Sequence, residues 1–388
     1  MSLIIFSPKH PLWLAGFRPF FILALLMGLF IPVLWVFIFS GKLSLHEGLN
    51  PLQWHSHEML FGFAGAVLFG FLLTASKNWV KVRGIHGFSL MFLTGLWILE
   101  RFSFIPLMHS HFIIKHIGLS LFPLCCGIYI AITLIKYHKN DSFKDNYFFL
   151  ILLSLLLLAK NFLISNDYYQ HGIALSLGLF RLAFAVMFER TITQFMKGTE
   201  GKLLFRNRFL DSGIKILVLL SAFQSFLPLP LSIIVLSLAA VFLSVRWILW
   251  RPDIGLRKFG NATMYIGYFG LILHFIFETI RLAGIWNQGT ISIHIFTFLC
   301  MGLVIPSMIV RISQGHTGRN PEFYITDKIA IFLIFISAFF RLLLPLIFSS
   351  YYLLLIQIAG VLWSVGFLIL SLRLCPLLFQ ERIDGKIH

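Results

Sequence analysis

Apolar residues in this chain do not alternate with polar ones. They run on for about twenty positions, break at short basic stretches, and resume. A run of roughly 20 apolar residues is what a helix needs to cross a bilayer. Twelve such runs can be marked: 18–39, 57–76, 86–105, 112–135, 147–165, 171–193, 211–228, 231–250, 262–285, 289–312, 328–348 and 352–375. The seventh is the least continuous, because Pro228 and Pro230 interrupt it, and a count of eleven or thirteen is the alternative. The pattern predicts an all-α, polytopic membrane protein of about twelve transmembrane helices. It would form a single integral membrane domain over residues 1–388, with no separate soluble domain. The longest loop, near Arg190–Lys215, is a basic linker of about twenty residues, too short to fold alone. No convincing internal repeat is visible, so a two-halves transporter architecture has no support in the sequence.

Composition agrees. Hydrophobic residues make up 59% of the chain and charged ones 12%, with 44 Phe and a mean hydropathy of +0.90. Soluble domains carry about twice that charge. The net charge of +16 changes meaning in this context. The basic residues lie in short loops between apolar runs, which excludes a nucleic-acid partner and fits the positive-inside rule. Numbering the runs in order, 24 of the 31 Lys and Arg fall on the side of the N-terminus, six on the other, and Arg181 inside the sixth run. Both termini are therefore expected in the cytoplasm. Cys125, Cys126, Cys300 and Cys375 form no C-x-x-C pair, which argues against a disulfide framework or a cysteine zinc site. The opening run Pro19–Phe39 is too long for a signal peptide and is kept as the first helix.

On this topology His46, His55, His57, His109, His111, His116, His171 and His294 fall at or just inside the outer surface. His274 falls in mid-membrane, and His10, His86, His138, His316 and His388 on the cytoplasmic side. Imidazole suits haem iron, copper and zinc. For His46, His109, His111 and His116 an interfacial role is preferred. The cluster Trp54-His55-Ser56-His57-Glu58 opens the second helix. As a regular helix it puts His55 and Glu58 on one face and turns His57 away. A ligand role is favoured there over a capping cluster with Trp54 as anchor. In the ninth helix His274, Glu278 and Arg281 share a face, and His294 lies at about the depth of Glu278. Ionisable groups at such depth usually face a functional cavity, although a Glu278–Arg281 pair could serve packing alone. By helical rise His294 lies roughly 7 Å below His55 and His57, and His274 roughly another 9 Å deeper. That spread calls for two groups of ligands. Arg181 needs a counter-charge, either Glu278 or a cofactor propionate, while Glu189-Arg190 reads as interfacial. The cytoplasmic loop Arg311-Ile312-Ser313-Gln314-Gly315-His316-Thr317-Gly318-Arg319 has Gly315 and Gly318 as helix-cap and turn residues. With Arg18 it reads as a structural or anion-binding motif rather than a metal site, and it lacks the lysine and spacing of an NTPase P-loop.

Several of these segments together resemble the NnrS family, bacterial membrane proteins associated with the response to nitric oxide. The matching stretches are Gly16–Phe21 (GFRPFF), Trp54–Phe63 (WHSHEMLFGF), Gly70–Trp79 (GFLLTASKNW), Leu96-Trp97 with Arg101, and His294–Arg319 ending in RISQGHTGR. Ser56, Lys77 and Glu100 depart from the family's usual Ala, Pro and Gly, and the fourth to eighth helices match only loosely. The resemblance implies a twelve-helix protein of the bacterial inner membrane that contains haem b and copper and protects against nitrosative stress.

Together these readings give an expected site. His294 and His274 would hold haem with Arg181 and Arg101. His55, His57, Glu58 and His294 would offer metal ligands, supported by Glu278 and Arg281. Nitric oxide or a related small molecule would be the partner, with quinol a further candidate. Catalytic turnover is left open. The rivals are a small-solute permease, which should show inverted repeats and broken helices, and a quinol-linked oxidoreductase, which needs the same haem plus a quinol pocket.

Overall fold

In a computed structural model, residues 5–46, 49–104, 111–141, 146–286 and 289–385 are described. His109 and His388 lie outside them. Twelve helices follow the twelve apolar runs: α1 Phe17–Phe39, α2 Pro51–Trp79, α3 Gly87–Phe102, α4 Phe112–Lys136, α5 Phe148–Leu163, α6 Tyr169–Glu200, α7 Arg208–Ala222, α8 Leu229–Leu249, α9 Phe259–Leu282, α10 Ile291–His316, α11 Ile325–Leu342 and α12 Tyr352–Leu378. Among the described residues there is no strand, and nine helices are long and apolar enough to cross a membrane. The remaining three, α3, α5 and α7, have 15 or 16 residues. Large apolar side chains such as Phe88, Ile113, Phe209 and Leu372 are each at least 70% exposed, as lipid-facing residues should be.

Helix ends follow local chemistry. Asn50 caps α2 by accepting from the Leu52 amide, with Pro51 in the first turn. Asn207 caps α7 through the Leu210 amide. Pro228 and Pro230 do not break the seventh helix but separate it from α8, which starts at Leu229. The expected basic linker is shorter than its sequence suggests, since α6 continues to Glu200. Before α1, His10 accepts from the Leu12 amide, and burial together with nearby Arg18 holds its imidazole below its ordinary pKa.

The chain divides into two compact units. One comprises residues 1–172, 309–322 and 367–388, the other 173–308 and 323–366. In the first, α1 and α2 approach closely at glycines: a Cβ on Gly16 would lie 2.6 Å from that of Leu73, and one on Gly70 2.7 Å from that of Phe20. In the second, α9 meets α10 the same way, Gly270 facing Leu299 and Gly267 facing Val304. Small residues at a helix crossing bring backbones within packing distance in lipid.

The backbones of α2 and α10 share a pattern that their residues do not advertise. Each contains one seven-residue π-helical stretch, Glu58–Ala64 and Ile295–Met301, followed by fifteen α-helical residues, Gly65–Trp79 and Gly302–His316. His57 and His294 immediately precede the two stretches, and Gly65 and Gly302 immediately follow them. In the next helices, α3 and α11, Arg101 and Arg341 both stand one residue before the end. The helix–π-turn–helix arrangement is thus repeated in the chain. Turns of this kind concentrate at functional sites.

The orientation inferred from the basic loops predicts that Leu203, after α6, and Ile285, after α9, face opposite sides of the membrane; both are strongly exposed. Single cysteines placed there, with the native cysteines replaced, should react with an impermeant reagent from opposite sides. Labelling from one side would overturn the helix count.

Candidate functional site

In the first unit the π-turn of α2 sets the geometry. Because the turn widens at Glu58, adjacent side chains meet: His57 Nδ1 lies 2.9 Å from Glu58 Oε1. The expected His55–Glu58 pairing is therefore replaced by His57–Glu58, and His55 instead stacks on Trp35 of α1 at 4.1 Å. His57 is fully buried, and its Nε2 is 3.4 Å from Glu100 Oε1 of α3. Arg101 bonds both Glu58, at 3.0 Å, and Glu100, and its guanidinium lies 4.6 Å from the Trp97 ring. Lys160 of α5 reaches Glu100 at 2.5 Å and lies near the Phe61 ring. Two carboxylates and two cations thus balance around a buried imidazole, in surroundings where an isolated charge would be very costly.

Glu100 and Lys160 are absent from the expected site. Their signal was available: a lone lysine in the apolar run LLLLAKNFL requires an acid, and Glu100 is an acid inside the apolar run GLWILERF.

In the second unit, α9 and α10 pair so that Glu278 meets Ser292 and Gly270 meets Leu299. On that register His274 and His294 differ by only about two residues, roughly 3 Å of rise, not the 9 Å expected. His274 is 1% exposed, and its Nδ1 lies 2.6 Å from the Ser292 carbonyl. A carbonyl only accepts, so Nδ1 carries the proton and Nε2 keeps its lone pair. Arg181 Nη1 donates to that Nε2 at 3.2 Å, and Nη2 donates to the Ser221 carbonyl at 2.9 Å. None of Arg181's bonds goes to a carboxylate. Gln224 accepts from Arg181 and passes a 2.7 Å bond to Glu278. Glu278 itself is gripped by Arg281 at 2.7 and 3.0 Å and by the Ser292 hydroxyl at 2.6 Å. It touches no imidazole. Glu278, one of the two counter-charges considered for Arg181, reaches it only through Gln224, which a neutral glutamine gave no reason to suspect. His294 sits against Arg341, whose Nη2 is 3.2 Å from Nδ1, with the Thr290 carbonyl 2.8 Å from the same nitrogen.

Glu189 is buried. It lies in a further network of the second unit with Arg206, Lys215 and buried Arg246, whose Nε donates to Tyr268 at 2.8 Å. Asp211 joins through Arg206 at 2.9 Å. His46 and His116 are occupied by hydrogen bonds, at 2.8 Å to the Phe104 carbonyl and 2.7 Å to Asn161.

Of the expected haem ligands, His274 has its Nδ1 fixed on a carbonyl, the arrangement that orients ligating histidines, and its Nε2 would be open to iron only once Arg181 gives up its bond there. Arg181 beside it is a buried cation with no carboxylate in its bonds. A copper cage fares differently. Among the described residues no three His, Cys, Asp or Glu side chains converge to hold a metal ion. His55, His57 and His294 are instead engaged with Trp35, Glu58 and Arg341.

These features define an all-helical protein of multiple membrane-spanning helices, with ionic networks buried between them. The family model described as NnrS protein matches residues 11–382, nearly the whole chain, and the protein belongs to that family. No curated relative matches it.

Proposed function

We propose that this protein is a haem-binding protein of the bacterial inner membrane that acts in the response to nitric oxide and protects against nitrosative stress. The observation that carries the reading is His274: a buried imidazole with its proton committed to the Ser292 carbonyl and its Nε2 lone pair beside an arginine, in a member of the NnrS family. His274 would hold the haem iron through Nε2 in place of its Arg181 bond, and the Arg181 Nη1 so released would neutralise a propionate while Nη2 keeps its bond to the Ser221 carbonyl. Gln224, Glu278 and Arg281 hold Arg181 and the first turn of α10 in place. Haem iron, when bound, supplies a coordination position for nitric oxide and a centre for electron exchange. In the first unit, the His57 network keeps a second imidazole enclosed and charge-balanced. Copper is proposed on family membership alone, and no ligand set is assigned to it.

The reading retains both termini in the cytoplasm, a single integral membrane domain and twelve crossings, supported by the correspondence of twelve helices with twelve apolar runs. The test is the absorption spectrum and metal content of the purified, membrane-extracted protein. A Soret band is expected, and its absence would favour a permease.

A further inference from the structure

At one end of the first unit, four remote segments of the chain are tied together: the start of α1, the end of α2, the turn after α10 and the tail after α12. The Phe17 amide donates to Thr74 Oγ1 at 2.8 Å, and the Phe17 ring lies 5.3 Å from His316. Arg18, fully buried, donates from Nη1 to the carbonyls of Leu378 and Gln380 at 2.8 and 2.6 Å. Arg319 Nη2 holds the Gln380 side chain at 2.7 Å. Arg382 donates to the His316 carbonyl at 3.0 Å and forks onto Asp384 at 2.8 and 2.6 Å. The Ile383 amide closes onto the Thr317 carbonyl at 3.1 Å. Gly318, at φ +81, makes the turn against Asp384; a Cβ there would sit 2.9 Å from that carboxylate.

This framework gathers cations. Arg18 lies within electrostatic range of Arg319 and Arg382, Lys77 within range of Arg382 and Arg83, and His316 within range of Lys77, Arg18 and Arg382. Residues 16–18, 74–83, 316–319 and 378–385 carry six Lys and Arg against two acids, exposed Glu381 and the Asp384 already bonded to Arg382. A balanced network such as that around His57 needs nothing more, whereas an unbalanced one held by the backbone carries a standing repulsion that an anion relieves. Three enclosed polar atoms in or next to these segments are also left without a hydrogen-bond partner among the described residues: Arg319 Nη1, Oγ of Ser76, the residue before Lys77, and Oγ of Ser313, one turn before the loop. Ser76 and Ser313 are 1% and 0% exposed. Donors of these two kinds, guanidinium and hydroxyl, are those that bind phosphate.

We infer that the junction of Arg18, Lys77, Arg319 and Arg382 is a binding site for a phosphate group, either free or on the headgroup of an anionic lipid. The basic-residue bias assigns this end to the cytoplasmic face, where anionic headgroups are abundant. The site is independent of the haem reading and lies outside the residues proposed to hold it.

The full-length protein in neutral detergent, titrated with inorganic phosphate and separately with phosphatidylglycerol micelles, should rise in melting temperature with at least one of them. Phosphatidylcholine should have no effect. A response to both marks the phosphate group itself as the ligand, and a response to phosphatidylglycerol alone marks the lipid headgroup. Arg319→Gln and Lys77→Gln should each weaken binding about tenfold or more and flatten its salt dependence, while Lys42→Gln, at an exposed basic residue elsewhere, should not. Folding of each variant is checked by its melting transition without ligand. If one variant fails to fold, the other carries the comparison. The inference is overturned if neither ligand raises the melting temperature, or if Lys42→Gln weakens binding as much as the two site variants do.

Discussion

Glu100→Ala should be among the most destabilising single substitutions in the chain, costing about 3–5 kcal/mol, the usual penalty for leaving a buried charge unpaired. Glu100 is fully buried and touches Lys160, Arg101 and the edge of His57. Its removal strips Lys160 of its acid and leaves Arg101 with Glu58 alone. Lys160→Met should be similarly costly, because it leaves Glu100 and Glu58 to share Arg101 in the same enclosure. The double variant Glu100→Leu with Lys160→Met should recover most of the loss. It removes one charge of each sign, leaves the Arg101–Glu58 pair intact, and replaces the pair with apolar groups, an exchange that is often neutral or stabilising. Thermal unfolding of the three proteins in one detergent checks this. A double variant as unstable as the singles would mean that the network acts through geometry rather than charge balance.

The second large effect is expected at His274. His274→Ala should abolish the haem signal of a protein that still folds, since the site then lacks the imidazole whose Nδ1 is locked on the Ser292 carbonyl. Arg181→Gln should act more mildly. Arg181 bonds the nitrogen that would face the iron, so it would support haem as the cation for a propionate and not by orienting the imidazole, and its loss should lower haem retention without abolishing it. Haem content and spectrum, measured on protein with a wild-type unfolding transition, separate the two. An unchanged spectrum in His274→Ala would move the axial ligand to another histidine, with His57 first in line.

The helices were legible because each apolar run is long and is closed by basic residues, Pro or Gly. Even Pro228 and Pro230, which weakened the seventh run on paper, mark the end of α7 and the start of α8. The candidate site was legible as a set of residues but not as contacts. His57, Glu58, His274, Glu278, Arg281 and Arg181 all lie in networks, and Glu278 pairs with Arg281 as a regular helix would give, yet the pairings of His57, Glu58 and Arg181 differ. A π-turn cannot be read from side-chain spacing, and it moved Glu58 from His55 to His57. The repeat was hidden for a similar reason. Between α2 and α10 few positions keep their residue: His57 and His294, Phe61 and Phe298, Gly65 and Gly302, Val67 and Val304, Ser76 and Ser313. Glu58 is matched by Ile295, so the chemistry diverged while the backbone turn stayed. Partners such as Glu100 with Lys160, or Arg181 with Gln224, are tens of residues apart and leave no local trace.

The measurement that tests the central claim most directly is the optical spectrum of the purified, reduced protein before and after addition of nitric oxide. The account predicts a Soret band in the wild type that shifts on addition and is missing in His274→Ala. A folded wild-type protein with no haem band, or with a band that nitric oxide does not move, would contradict it.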